Sequence, residues 1–381
     1  MNIALCTGWS TEKDGIADYS RYLADGLRKA GCAIKVVPLG DYIGDEGYYR
    51  KAAEEANKAD LCHVQFNYVY FNGELPYRNR FLCFAKHLKK PFVMTVHEVR
   101  IGFSTGLSGF SSRLKAFVFN STMPLWDRWS IACHRKMYDR ADRIIVHTGA
   151  HRDAVAALVR ESKKVVLIPH GIPQVSDADR NVAAADAKKT LGVQDKTVMA
   201  IFGFINSRKG YECAIEALTG LPESVVLLIA GGIMTERKED RAYYDKLTGL
   251  ISAKGLIDRV KVTGYLSGKD IPAVMAATDI CLAPFSSTAA SGALSLSIGY
   301  HKPIIASDIG VHKEINARVK CLELFDQDDA AHLSETIRAL AGDRDRMRVL
   351  SGATAMYAER YSYANIAKDT AQLYERVLTR R

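Results

Sequence analysis

Val198-Met199-Ala200-Ile201-Phe202-Gly203-Phe204-Ile205-Asn206-Ser207-Arg208-Lys209-Gly210 is the stretch that decides how this chain is read. The apolar run from Val198 to Phe202 suits a strand buried on both faces. The glycine that ends it opens a turn carrying two adjacent cations, and a helix is expected from about Tyr211. Strand, turn and helix in this order make the unit of a doubly wound α/β sheet, whose ligands gather at the carboxyl ends of the strands. Arg208 and Lys209 then stand where they would neutralise a diphosphate.

The same alternation runs outward in both directions. Before this stretch come apolar runs at Ile3–Cys6, Ile34–Val37, Leu61–Gln65, Phe92–His97, Ile144–His147 and Val165–Ile168; after it come Val225–Ala230, Val260–Thr263, Ile280–Ala283 and Ile304–Ser307. Two Rossmann-like parallel-sheet domains facing across a cleft are expected, with boundaries at 1–172, a linker over 173–190, a second domain over 191–360 and a C-terminal helix, 361–381, that crosses back to the first domain. In that helix Ile366, Leu373 and Val377 share one face.

The 381 residues, 48% hydrophobic and 25% charged, exclude disordered, collagen-like and coiled-coil classes. No run approaches the roughly 18 apolar residues of a membrane span, and a cytoplasmic protein is expected. Eight cysteines are scattered singly without a Cys-x-x-Cys spacing, so neither a disulfide framework nor a metal site is expected. Of the net charge of +9, most lies in residues 100–164, with 12 Lys/Arg against 5 Asp/Glu. Within 103–140 aromatics such as Phe117, Trp126 and Trp129 alternate with Arg113, Lys115, Arg128, Arg135 and Lys136. That pattern suits an anionic membrane surface docking through 103–136, or else two helices whose cations are merely solvated.

Three further turns carry candidate chemistry. Gly15 opens a helix after the first strand, where backbone amides approach a ligand at the positive helix end, with Ile16 beside it. His97 and Glu98 follow the fourth strand. The run Ser291-Gly292-Ala293-Leu294-Ser295 opens a helix with unobstructed amides for an anion. The dinucleotide Gly-x-Gly-x-x-Gly fingerprint is missing after the first strand of either half, and no Gly-Lys-Ser/Thr phosphate loop occurs, which removes the main support for a nicotinamide dehydrogenase or a P-loop NTPase.

Taken in order, seven blocks resemble a retaining glycosyltransferase of the two-Rossmann GT-B fold, specifically glycosyltransferase family 4: the Gly15 loop, Leu61–Phe71, Val93–Val99, Arg143–Thr148, Val166–Pro173 with Ile-Pro-His-Gly-Ile-Pro, Phe202–Gly210 and Lys302–Gly310. The resemblance implies transfer of a hexose, mannose or glucose, from a nucleotide-diphosphate sugar of GDP or UDP type to a glycan or lipid-linked glycan. It implies donor contacts from Gly15, Ile16, Gly203, Asn206, Ser291, Gly292, Ala293, Leu294 and Ser295, catalytic roles for His97 and Lys209, and acceptor contacts from Asp18, Tyr19 and Glu98. No metal or other cofactor is implied, and no nucleic-acid partner.

Two departures stand out. Phe204 occupies the place of the family's usual arginine, which leaves Arg208 as the stand-in by proximity. The Glu-x7-Glu pair falls near Thr288 and Ser295 or Leu296, none of them acidic. A variant donor site is expected on that account. The alternatives are a catalytically silent nucleotide- or glycan-binding subunit and a nucleotide-sugar 2-epimerase on the same fold. The enzyme is expected on the cytoplasmic side, peripheral on the inner face of the plasma membrane.

Overall fold

The structure is a computed structural model that describes residues 1–8, 15–40, 45–71, 80–99, 128–234, 238–287 and 291–379. The chain divides into two compact units, Met1–Pro169 with Ala364–Arg381, and His170–Tyr363. Among the described residues no helix is long and apolar enough to cross a membrane.

The first unit runs β1 (Asn2–Thr7), α1 (Gly15–Lys29), β2 (Ala33–Pro38), α2 (Glu46–Ala56), β3 (Leu61–Phe66), α3 (Phe81–His87), β4 (Phe92–Val96), α4 (described over 128–138), β5 (Arg143–Val146), α5 (Gly149–Ala156) and β6 (Val165–Leu167). Its six parallel strands lie in the order β2-β1-β3-β4-β5-β6. Central strands covered on both faces are buried throughout: every residue of β3 and β4 is buried, including the polar His63, Gln65 and Thr95. The edge strand β2 instead alternates, with only Val37 fully buried.

The second unit runs α6 (Asp177–Arg180), α7 (Ala184–Thr190), β7 (Thr197–Phe202), α8 (Tyr211–Thr219), β8 (Val225–Ala230), α9 (Lys238–Ala253), β9 (Val260–Val262), α10 (Ile271–Ala277), β10 (Ile280–Ala283), α11 (Gly292–Gly299), β11 (Ile304–Ser307), α12 (Gly310–Arg318), β12 (Glu323–Phe325), α13 (Ala330–Ala341) and α14 (Arg344–Arg360). Its sheet is also six-stranded and parallel, ordered β12-β11-β10-β7-β8-β9. The stretch read as a linker, 173–190, contains α6 and α7, and its residues group with the second unit. The edge strand β12, only three residues long, has no counterpart in the sequence reading.

The last helix, α15 (Tyr363–Leu378), packs with the first unit from Ala364 onward. Ile366, Leu373 and Val377 are all buried on it. Just before it, Ile172 and Ser362 form an isolated parallel bridge, Ile172 donating its N–H to Tyr361 O and Tyr363 donating to Ile172 O. All eight cysteines are free, most of them buried.

Candidate active site

In the second unit the turn after β7 is built around a glycine that only glycine can occupy. Gly210 has φ of +68°, and a Cβ there would lie 1.8 Å from Pro284 O. This close approach draws the turn at Ser207–Lys209 against the end of β10, where Ser286 N–H donates to Arg208 O. Asn206 shapes the turn itself, its Oδ1 accepting from Arg208 N–H and its Nδ2 donating to Phe204 O.

Lys209 is thereby half-buried, with Nζ donating to Phe202 O at 3.1 Å and standing 4.3 Å from the centroid of the Phe285 ring. A lysine with a carbonyl and an aromatic face for neighbours, and no carboxylate paired with it among the described residues, is a poorly solvated cation. Burial, reinforced by the nearby Arg208 guanidinium, pulls its pKa down from 10.5 to about 7. Gly203, at φ of +101°, closes the other side: a Cβ there would lie 3.2 Å from both Lys209 Nζ and Ala293 Cβ. Lys209, Gly203 and Ala293 are thus brought together at the carboxyl end of the sheet.

Ala293 belongs to the first turn of α11. Ser291 caps that helix, its Oγ accepting from Leu294 N–H, and Ser295 N–H donates to Ser291 O. The Leu294 amide is therefore already engaged, which leaves Gly292 and Ala293 as the first-turn amides offered to an anion. Ser295 is buried rather than presented to a ligand, and its Oγ lies 3.1 Å from His170 Nδ1. Burial lowers the His170 pKa to about 4. Thr288, the other position of the missing acidic pair, lies outside the described residues.

Three more observations refine the reading of this unit. Arg208 is exposed, so of the adjacent cations only Lys209 is held against the cluster. Phe204 stacks on Tyr265 with ring centroids 6.2 Å apart at 17°. His312, which the sequence reading passed over, is fully buried at the start of α12 with Nδ1 on Ser307 O at 2.7 Å and its ring 5.7 Å from Phe285. Burial, opposed by the hydrogen bond to Ser307 O and assisted by nearby Lys209, lowers its pKa to about 4.

In the first unit His97 follows β4 directly and is half-buried. Its ring meets Tyr19 of α1 edge-on at 4.9 Å and His147, at the end of β5, at 5.3 Å, and Nε2 lies 2.8 Å from Gln65 Oε1. His147 Nδ1 is bonded to Ile168 O. Tyr19 was expected on the acceptor, but only 3% of it is exposed. It lies in the apolar stripe Tyr19, Leu23, Leu27 of α1, and serves to wall in the two histidine rings. Asp18, one residue off that stripe, is exposed and ion-paired with Arg21. Gly15 opens α1 with none of the described residues within 4 Å of where a Cβ would lie, Ile16 packs partly against the core, and Glu98 is half-buried beside His97. Among the described residues no group of His, Cys, Asp and Glu is arranged to hold a metal.

The profile of the family described as Glycosyltransferase Family 4 matches residues 13–174, and that of Glycosyl transferases group 1 matches residues 183–355, so that together they span nearly the whole chain. The chain is a glycosyltransferase similar to those of family 4. It is a glycosyltransferase of GT-B fold class.

It is similar to the alpha-D-kanosaminyltransferase of Streptomyces kanamyceticus, 25% identical over 209 residues, an alignment that takes in 54% of this chain and 52% of that protein. An uncharacterized glycosyltransferase of Methanocaldococcus jannaschii is also 25% identical, over 95% of this chain and 94% of its own length. Among solved structures the fold matches HepE of Anabaena in complex with UDP, at a TM-score of 0.73 and 18% identity over 98% of this chain and 100% of that one. HepE has also been solved with UDP-glucose.

Proposed function

We propose that this enzyme is a retaining hexosyltransferase that moves glucose or mannose from a nucleotide-diphosphate sugar to a glycan or lipid-linked glycan. One observation carries the reading: Lys209 Nζ, Gly203 and the first turn of α11 at Ala293 converge at the carboxyl end of the second sheet. A cation poised next to helix amides suits a leaving diphosphate, whose negative charge grows as the anomeric carbon becomes cationic. Similarity to HepE, solved with UDP and UDP-glucose, favours a uridine donor over a guanosine one.

Gly203, Gly292 and Ala293 are assigned to the diphosphate with Lys209, Gly15 and Ile16 to the donor, and His97 to the transferred sugar. With no carboxylate at Ser295 or Leu296, retention is assigned to acceptor attack on the face from which the diphosphate departs. A phosphate oxygen receives the acceptor proton, and no protein nucleophile is needed. Neutralisation of the phosphates falls to Lys209 and the amides, so turnover in EDTA is expected to be unchanged.

The basic segment 103–136 is assigned to an anionic membrane surface on the cytoplasmic side. Most of it lies outside the described residues; in the described part Arg128, Trp129, Arg135 and Lys136 are exposed on α4.

The experiment that tests the donor assignment is thermal unfolding with UDP, GDP, ADP and dTDP. A nucleotide at about 100 times its dissociation constant stabilises by about 2.7 kcal/mol. Stabilisation by UDP, lost in Lys209→Ala, is expected; indifference to all four nucleotides overturns the assignment.

A further inference from the structure

Beneath His97 runs a line of buried polar groups that none of the roles above uses. Gln65 and His63 lie two residues apart on one face of β3, Thr95 is the register partner of Gln65 on β4, and Tyr374 comes from α15. All four are fully buried. Gln65 Oε1 is 2.8 Å from His97 Nε2, and Gln65 Nε2 is 3.2 Å from His63 Nε2. Thr95 Oγ1 lies 2.7 Å from the same His63 nitrogen, and His63 Nδ1 lies 2.5 Å from the Tyr374 hydroxyl.

These groups have little freedom in how they share protons. An amide oxygen accepts and an amide nitrogen donates, so His97 carries its proton on Nε2 and gives it to Gln65 Oε1. Gln65 Nε2–H then faces the lone pair of His63 Nε2, with the Thr95 hydroxyl beside the same nitrogen. Burial holds the His63 pKa down to about 3, so the ring is neutral with a single N–H. With Nε2 accepting, that N–H is on Nδ1 and donates to Tyr374 Oη. Each bond fixes the next, from the C-terminal helix to the residue at the end of β4.

We propose that Gln65 is the positioning residue of His97, backed by His63, Thr95 and Tyr374, and that it fixes the ring as the Nε2–H tautomer so that Nδ1 is the nitrogen that accepts from a hydroxyl of the transferred sugar. The inference rests on the assignment of His97 to that sugar. Fixing a tautomer matters because a histidine that samples both forms presents the correct nitrogen for only part of the time.

The test reads the tautomer directly, from imidazole nitrogen NMR of the full chain at neutral pH, alongside turnover with a UDP-sugar. Wild-type His97 is expected as the Nε2–H form. Gln65→Met, similar in length but without donor or acceptor, is expected to release the tautomer bias and lower kcat by roughly tenfold through lost orientation, with the Kd for UDP unchanged. Gln65→Glu keeps an acceptor for His97 Nε2–H and is expected to restore both the tautomer and most of the turnover. Should Gln65→Met fail to fold, Tyr374→Phe tests the far end of the line with a milder change in the same direction.

An Nδ1–H form in the wild type overturns the proposal. So does a Gln65→Met protein that keeps tautomer and turnover, or equal loss in Gln65→Met and Gln65→Glu. The NMR readout needs no substrate, so it fails separately from the sugar assignment, which falls if His97→Ala turns over normally.

Discussion

Binding of a nucleoside diphosphate is expected to take up a proton, because the amine proposed to hold it is held near neutrality in the free protein. Lys209, over the Phe285 ring and bonded to Phe202 O, has a pKa of about 7. Contact with a diphosphate reverses the cause of that depression by supplying the missing anion, and moves the group back toward the ordinary lysine value. Uptake on binding equals the fraction of Lys209 that is neutral beforehand: about one tenth at pH 6, about one half at pH 7 and about nine tenths at pH 8.

The sign follows from which form binds. Below pH 7 the ammonium is already present and affinity is flat, whereas above it each pH unit weakens binding about tenfold until the pKa of the complex is reached. Between pH 7 and 8.5 a terminal phosphate, with its second pKa near 6, contributes little. Calorimetric titration of UDP in two buffers of different ionisation enthalpy measures the uptake. Lys209→Arg, permanently charged, is the control and should bind with no linked proton. Uptake near zero at pH 8 in the wild type, or equal uptake in Lys209→Arg, refutes the reasoning.

Other expectations follow from the same geometry. His97→Ala should cut sugar transfer far more than it weakens UDP binding, because the lost contact is to the sugar; equal loss of both with a lower Tm would assign the residue to the core. Gly210→Ala should be among the most destabilising single-methyl changes in the chain, about 3 kcal/mol or more in chemical denaturation, since it combines positive φ with collision against Pro284 O. A Gly210→Ala protein as stable as wild type would mean that the turn can move away. Binding to anionic vesicles should fall only in part at high salt and weaken further in the Trp126→Ala, Trp129→Ala double variant; wild-type protein left in the supernatant at low salt would remove the membrane role.

Most of the architecture was legible because strands buried on both faces of a parallel sheet are built largely from apolar residues. Continuous apolar runs such as Val225–Ala230 announced themselves, and His97 and Lys209 were marked as candidates at the carboxyl ends of their strands, with their roles drawn from the family resemblance. The strand β12 was not found, since three residues with Glu323 among them carry no periodicity. The burial of Tyr19 could have been found: Tyr19, Leu23 and Leu27 repeat at helical spacing, and the acceptor assignment ignored that stripe. The line behind His97 was beyond reach, because His63 and Tyr374 are 311 positions apart and no local pattern couples them. The environment of Lys209 was equally hidden, since Phe285 joins it only when β7 and β10 lie side by side.

The division of the chain also sets an order of events during synthesis. The first unit consists of Met1–Pro169 and Ala364–Arg381, with all of the second unit encoded between them. On the ribosome the second sheet is therefore translated in full before α15 exists. Until then the first unit has a strand-and-helix layer whose apolar seat for Ile366, Leu373 and Val377 is bare, and His63 lacks its tyrosine. The N-terminal unit, begun first, is the one completed last, and during that interval its exposed seat is where a nascent-chain chaperone has reason to bind.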